Sequence, residues 1–178
     1  MGRAQVSDPV QAVSDHAATG SQQESPFWNW SLAAYAAPGV QEACLSLQDT
    51  AGQNVPLLLW AAWTAATGRP IDEEAIEGAC DCARAWDAAA VSPLRALRRT
   101  LKGVNPDIDN AARESLREAV KTVELAAERH LMAGLEALAP PPSDRPLPVI
   151  DALVSVARVW SRVVPRPGLK ILAEHLPG

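Results

Sequence analysis

The residues of this 178-residue chain best equipped for chemistry are three cysteines, three histidines and a polar hairpin running from Gln48-Asp49 to Asn54. Cys80-Asp-Cys82 invites a metal reading, which helical geometry resists. Residues two apart on a helix point about 200° apart, so both thiolates cannot easily reach one ion. Neither CxxC nor HxxxH occurs, and His16, His130 and His175 are isolated along the chain. No metal and no cofactor is expected, and the cysteines read as small apolar core residues. His130 sits beside an apolar seam at Leu131 with no serine, cysteine or carboxylate spaced to work with it. No catalytic residue is assigned.

Asp49 falls in the last turn of an expected helix, where the helix dipole disfavours a carboxylate. Something should compensate it. Either Asp49 caps the next helix or bonds the turn amides as a structural clamp, or it is a polar contact point for a partner or ligand. The aromatics raise a related question, because seven of the eight lie between Phe27 and Trp86. Trp28, Trp60, Trp63 and Trp86, with Gln48, Asp49 and Asn54, form a candidate site for a flat or apolar ligand. The plainer alternative is that the tryptophans supply core bulk in a chain built of Ala and Leu.

Charge limits the partners. The formal net charge is −5, and nucleic-acid binding, which depends on phosphate neutralisation, is not indicated. Asp72, Glu73, Glu74, Glu77 and Asp81 form an acidic block, followed by Arg84, Arg95, Arg98, Arg99 and Lys102. The basic residues oppose Leu94, Leu97 and Leu101, the pattern of a solvated face. Arg95, Arg98 and Arg99 are candidate interaction residues, joined further on by Arg158, Trp160 and Arg162. Between Val149 and Val164, Ile150, Leu153, Ala157, Trp160 and Val164 oppose Asp151, Ser155, Arg158 and Arg162. Such a helix can lie on an anionic membrane, dock on a partner or pack on its own bundle. The longest apolar run, Val55 to Ala66, is interrupted by Pro56 and Thr64 and falls short of the about 20 residues a membrane span needs. An odd number of cysteines and no apolar leader point to the cytoplasm.

The elements that must position these residues are helical. Alanine, the best helix former, occurs 33 times, against five Ile, one Tyr and one Phe. Residues 1–24 read as a flexible tail, 25–139 as a helical core domain, 140–148 as a proline-rich linker, and 149–178 as amphipathic helices packing on the core or on a partner. Ser25-Pro26 opens the first helix, Asn54 caps a third, and Asp72 caps a fourth, with Ile71 and Ile76 spaced as a hydrophobic staple. Ser92-Pro93 is expected to open a fifth helix and Asn105-Pro106 a long sixth. The sixth carries a stripe of Ala112, Leu116, Val120, Val123, Ala127, Leu131, Leu135 and Leu138. The expected fold is an all-α, single-domain antiparallel bundle of about six to eight helices around a central apolar helix at about residues 54–67.

The stretch Phe27-Trp28-x-x-Ser31-x-x-x-Tyr35-x-x-x-Gly39-Val40-x-x-Ala43-Cys44-Leu45-x-Leu47-Gln48-Asp49-x-x-Gly52-x-Asn54-Val55-x-Leu57-Leu58-Leu59-Trp60 resembles a family of small proteobacterial proteins described only as a domain of unknown function. The resemblance is densest there and spans about Phe27 to Leu135. It implies a bacterial cytoplasmic helical protein and places the Gln48-Asp49 hairpin within the pattern. It brings no reaction, cofactor or catalytic residue. With no nucleophile, base or metal set assembled, the expected function is a non-enzymatic interaction module that binds a protein partner or forms a homo-oligomer. The alternatives are a carrier of small apolar or aromatic ligands and peripheral membrane association through residues 149–164.

Overall fold

A computed structural model describes residues 25–144 and 147–176, which are all-α with no strand. The expected tail, His16 included, lies outside the described residues. In chain order the helices are α1 (Pro26–Tyr35), α2 (Val40–Ala51), α3 (Val55–Ala66), α4 (Glu73–Trp86), α5 (Ser92–Thr100), α6 (Asn110–Ala137), α7 (Val149–Trp160) and α8 (Arg166–His175).

The bundle is organised around α3. Every residue from Pro56 to Ala65 is buried, as its nearly uninterrupted apolar sequence requires. Asn54 caps it, its side chain accepting from the Leu57 amide at 3.0 Å. Helices α1, α2, α4, α6 and α7 all pack against it. Ser25 caps α1, and Glu136 of α6 accepts from both the Ser25 hydroxyl and the Phe27 amide, placing a carboxylate at the positive end of that helix. The Asp72 cap and the buried pair Ile71 and Ile76 form at the start of α4.

Two helix starts differ from expectation. Ser92-Pro93 does stand at the start of α5, but without a cap or a break before it. The chain runs from α4 through a π-helical turn, Asp87–Val91, directly into α5. A proline ring collides with the carbonyl four residues back in a regular helix, and the wider turn just ahead of Pro93 relieves that crowding. Asn105-Pro106 does not open α6. Asn105 instead closes a local turn onto the Asp107 amide, and Asp109 provides the cap through the Ala112 amide at 2.7 Å.

The apolar stripe of α6 is a core seam only in its second half. Val120, Ala127, Leu131 and Leu135 are buried, whereas Ala112, Leu116, Val123 and Leu138 are exposed. The first half of α6 extends alongside α5, so the two form a paired arm. At its tip, buried Arg113 donates to the Leu101 carbonyl and to Asn110 Oδ1, satisfying an acceptor left open at the end of α5.

The C-terminal helices complete the core. Ala152, Leu153, Val156 and Ala157 of α7 are buried where α7 runs along α3 and α4, and Leu169 and Leu172 of α8 are buried with α8 against α2 and α7. Trp160 Nε1 donates to the Gly52 carbonyl at 2.9 Å, and Gln53 Nε2 donates to Ser161 Oγ at 2.9 Å. These bonds pin the end of α7 to the α2–α3 hairpin. The helix stops at Trp160 instead of continuing to Val164.

Candidate functional site

The cleft of greatest chemical interest is centred on Gln48, at the end of α2. Three adjoining cavities share this residue. The first, about 310 Å³, is polar and lies between Asp49 and the α5 residues Ser92, Arg95 and Arg99. The second, about 200 Å³, reaches Gln53, Asn54, Asp87 and Trp160. The third, about 250 Å³, is a largely apolar groove between α1 and α6, floored by the first turns of α3. The π turn sets the polar end: Asp87 Oδ2 accepts from the Ser92 hydroxyl at 2.8 Å, and α5 then presents its arginines towards α2 and α6.

Two of the α5 arginines, Arg95 and Arg98, are not part of a solvated face, which corrects the expectation for them, whereas Arg99 and Lys102 remain exposed. Arg95 Nε donates to Glu124 Oε1 at 3.1 Å and Arg95 Nη2 to Glu128 Oε1 at 3.0 Å. Arg98 Nε donates to Glu124 Oε2 at 2.5 Å. The side chains of Arg95 and Arg98 are 17 % and 29 % exposed, and that of Glu124 only 8 %. The helix turns its charges inward because α6 meets it with two carboxylates one turn apart, and Leu97 is consequently exposed. Burial pushes Glu124 upwards, but the hydrogen bonds and charges of Arg98 and Arg95 outweigh it and hold the carboxyl below its ordinary value. Glu128 goes the other way. Burial, reinforced by the Glu124 charge, lifts it despite Arg95.

Asp49 is paired with Arg99 Nη2 at 2.9 Å, and Gln48 Nε2 donates to the same oxygen at 3.4 Å. The compensation its helix-end position demands thus comes from α5, while Asn54 is the cap of α3. Both members of the Asp49–Arg99 pair are more than half exposed, so this is a surface tie between helices.

Of the four candidate tryptophans, Trp28 alone lines one of the three cavities around Gln48. Trp60 and Trp63 are core residues, Trp63 stacking on Phe27 with ring centroids 5.1 Å apart. The Trp60 indole N–H, expected to find a partner, has none among the described residues. Trp86 stacks on His130 at 5.7 Å, giving that histidine an aromatic platform. Trp28 lines the apolar groove, with the Arg129 guanidinium over its ring at 4.6 Å. Arg158 and Arg162 are exposed on and just after α7, and Trp160 is held in place by Gly52 and by Arg84, 5.5 Å above its ring. Among the described residues no group of His, Cys, Asp and Glu is placed to hold a metal ion. Burial pushes the Cys44 and Cys80 thiols up to about 12 and about 11, the behaviour of core thiols.

Residues 26–135 match the family described as Protein of unknown function (DUF2390). The chain belongs to this family. No curated protein and no solved structure matches it. The matched segment runs from the first residue of α1 to near the end of α6 and includes every residue lining the apolar groove. It stops short of α7, which covers α3 in this chain, and of α8, which packs on α2 and α7.

Of the candidates read from the sequence, Gln48, Asp49, Asn54, Arg95, Arg99, Trp28 and Trp160 line these cavities. They are joined by Ser31, Tyr35 and Glu128, which are not among those candidates, while Glu124, also not among them, holds Arg95 beside the cavities. A signal existed for each set. Trp28, Ser31, Leu32 and Tyr35 fall at i, i+3, i+4 and i+7, one face of a helix. Glu124 and Glu128 stand four apart beside the apolar seam, charges a core-facing helix carries only when something pairs with them.

Proposed function

We propose that the protein is a helical interaction module that engages a protein partner, or a second copy of itself, through the arm formed by α5 and the first half of α6. One observation carries this reading. No residue of α5 is fully buried, and Leu97, Val104, Ile108, Leu116 and Val123 stand exposed along the arm, Val104 at 80 %. Apolar residues grouped on one projecting element support binding by helix-to-groove or helix-to-helix contact. The ion pairs of Arg95 and Arg98 support it further, because they brace the two helices of the arm while leaving its apolar residues outermost.

Membrane association through residues 149–164 has less support, since the apolar side of α7 is occupied by the core. Among the described residues no helix is long and apolar enough to cross a membrane. The test is site-specific photo-crosslinking from position 116 in cells, with light scattering of the purified chain across a concentration series. A discrete adduct, or self-association, that disappears in the Leu97→Gln, Ile108→Gln, Val123→Thr variant supports the arm. A concentration-independent monomer whose crosslinks are the same in the variant overturns it.

A further inference from the structure

The groove between α1 and α6 has the composition of a small-molecule site, and its chemistry selects a class of ligand independently of the arm. Trp28, Ser31 and Tyr35 come from one face of α1, and Leu125, Glu128 and Met132 from one face of α6. Both sets follow helical spacing, so two facing helices build the walls. The groove encloses about 250 Å³, room for a ligand of one ring or one branched chain.

Two features make it more than a gap in packing. The first is Ser31. It is 5 % exposed, it lines the groove, and its Oγ has no hydrogen-bond partner among the described residues. Serine inside a helix commonly bonds a carbonyl one turn back, and a buried hydroxyl without any bond is a rarity that a bound polar group would resolve. The second is charge. Glu128 is the sole carboxylate among the lining residues, and no Lys, Arg or His lines the groove, although Arg95 bonds one Glu128 oxygen and Arg129 lies over the Trp28 ring. One oxygen of Glu128 takes the Arg95 bond, and the other accepts none among the described residues. Tyr35 contributes a phenol with no hydrogen bond among the described residues, on the same wall as Ser31. Apolar walls that present a carboxylate oxygen and two hydroxyls, with no cation among the lining residues, offer acceptors to an ammonium group and no charged donor to an anionic one. The partial burial that lifts Glu128 and Tyr35 is the environment in which a single added positive charge is felt most.

We infer that this groove binds a small primary amine with an aromatic or branched aliphatic body, the body lying against Trp28, Leu125 and Met132 and the ammonium group bonding Glu128 and the hydroxyls of Ser31 and Tyr35.

Isothermal titration calorimetry on the full chain, with phenethylamine and isopentylamine as probes and phenylacetate as the anionic counterpart, tests this. Both amines give saturable one-to-one binding, and phenylacetate gives none. Glu128→Gln, which retains the shape and an acceptor, lowers amine affinity by at least about tenfold. Ser31→Ala lowers it about threefold, and both variants melt no lower than about 2 °C below the wild type, because neither removes apolar packing. The assignment is overturned if neither amine binds, if phenylacetate binds as tightly as phenethylamine, or if Glu128→Gln binds the amines unchanged.

Discussion

Glu124→Gln is the substitution that most directly probes how α5 is held. Glu124 accepts from Arg95 Nε at 3.1 Å, Arg98 Nε at 2.5 Å and Arg98 Nη2 at 3.3 Å, on a side chain only 8 % exposed. Glutamine keeps the volume and one acceptor but removes the charge from between two guanidinium groups. Removing one partner of a well-buried ion pair costs about 3–5 kcal/mol. Here the loss is smaller, because Arg98 reaches water and Arg95 retains Glu128, so about 2–3 kcal/mol is expected. For a chain of this size each kcal/mol lowers Tm by about 2–4 °C, giving a drop of roughly 5–10 °C. Far-UV circular dichroism melts at pH 7, with urea titrations for the free energy, measure it.

The pH dependence adds a second readout with a definite sign. Glu124 lies below its ordinary value of 4.5 in the folded chain, so its stabilisation is fully present above that value. It is lost as pH falls through the lower folded value, because the unfolded chain takes up the proton first. Glu128 contributes with opposite sign. Its folded value is raised, so its penalty is fully present at neutral pH and eases as pH falls towards 4.5. Glu124→Gln should therefore flatten the acid limb below pH 4.5 and also shrink the Glu128 relief above it, because the Glu124 charge is part of what raises Glu128. A variant that melts within 1 °C of the wild type and keeps the same acid limb would refute the buried charge cluster as the element that fixes α5.

Gly39→Ala should destabilise by more than the about 1–2 kcal/mol of left-handed strain alone, because φ is +85° and the added carbon would collide with the His175 ring. Early proteolytic release of α8 in urea-titrated samples would mark the lost docking, and an unchanged urea midpoint would count against the close α2–α8 approach. At pH 8 a disulfide reagent should label Cys44 and Cys80 only as fast as the chain opens, since burial holds thiols at about 12 and about 11 almost wholly protonated; immediate native-state labelling would contradict their packing. Asp49→Ala should cost under about 1 kcal/mol in urea titration, because Asp49 and Arg99 are 51 % and 60 % exposed, and a larger loss would make the pair a structural clamp after all.

Local signals explain what sequence reading captured. Asn54 and Asp72 are caps because a short acceptor side chain directly precedes an apolar-periodic run, and α3 is central because no polar face exists along it. The failures share one physical cause, competition between elements. Ser92-Pro93 and Asn105-Pro106 both read as capped helix starts, yet the first opens α5 straight out of a π turn and the second closes a turn that leaves the cap of α6 to Asp109. The amphipathic pattern of α5 reads as solvated against water, but Arg95 and Arg98 face a helix carrying Glu124 and Glu128. The tryptophans lie close together along the chain, but Trp28 sits on α1, Trp60 and Trp63 on α3 and Trp86 on α4, and they face different neighbours. The groove escaped because its walls come from α1 and α6, about a hundred residues apart, and only the tertiary fold brings Ser31 and Glu128 to one cavity.

Arg95 links the arm to the groove, because its guanidinium bonds Glu124 through Nε and Glu128 through Nη2. The two carboxylates therefore compete for one cation, and their substitutions should not add. Glu124→Gln leaves Arg95 on Glu128 and strands only part of the positive charge. Glu128→Gln removes a carboxylate that its surroundings already disfavour and leaves Arg95 on Glu124, so its own cost is small. The double variant strands both Arg95 and Arg98 beside neutral amides with no carboxylate left to take either. Its loss should exceed the sum of the singles by about 1–2 kcal/mol, within the range found for residues sharing one network. Urea titrations of the four proteins close the cycle. Additivity to within about 0.3 kcal/mol would mean that Arg95 serves the two carboxylates independently, and the arm and the groove would then be separate structures that merely share a helix.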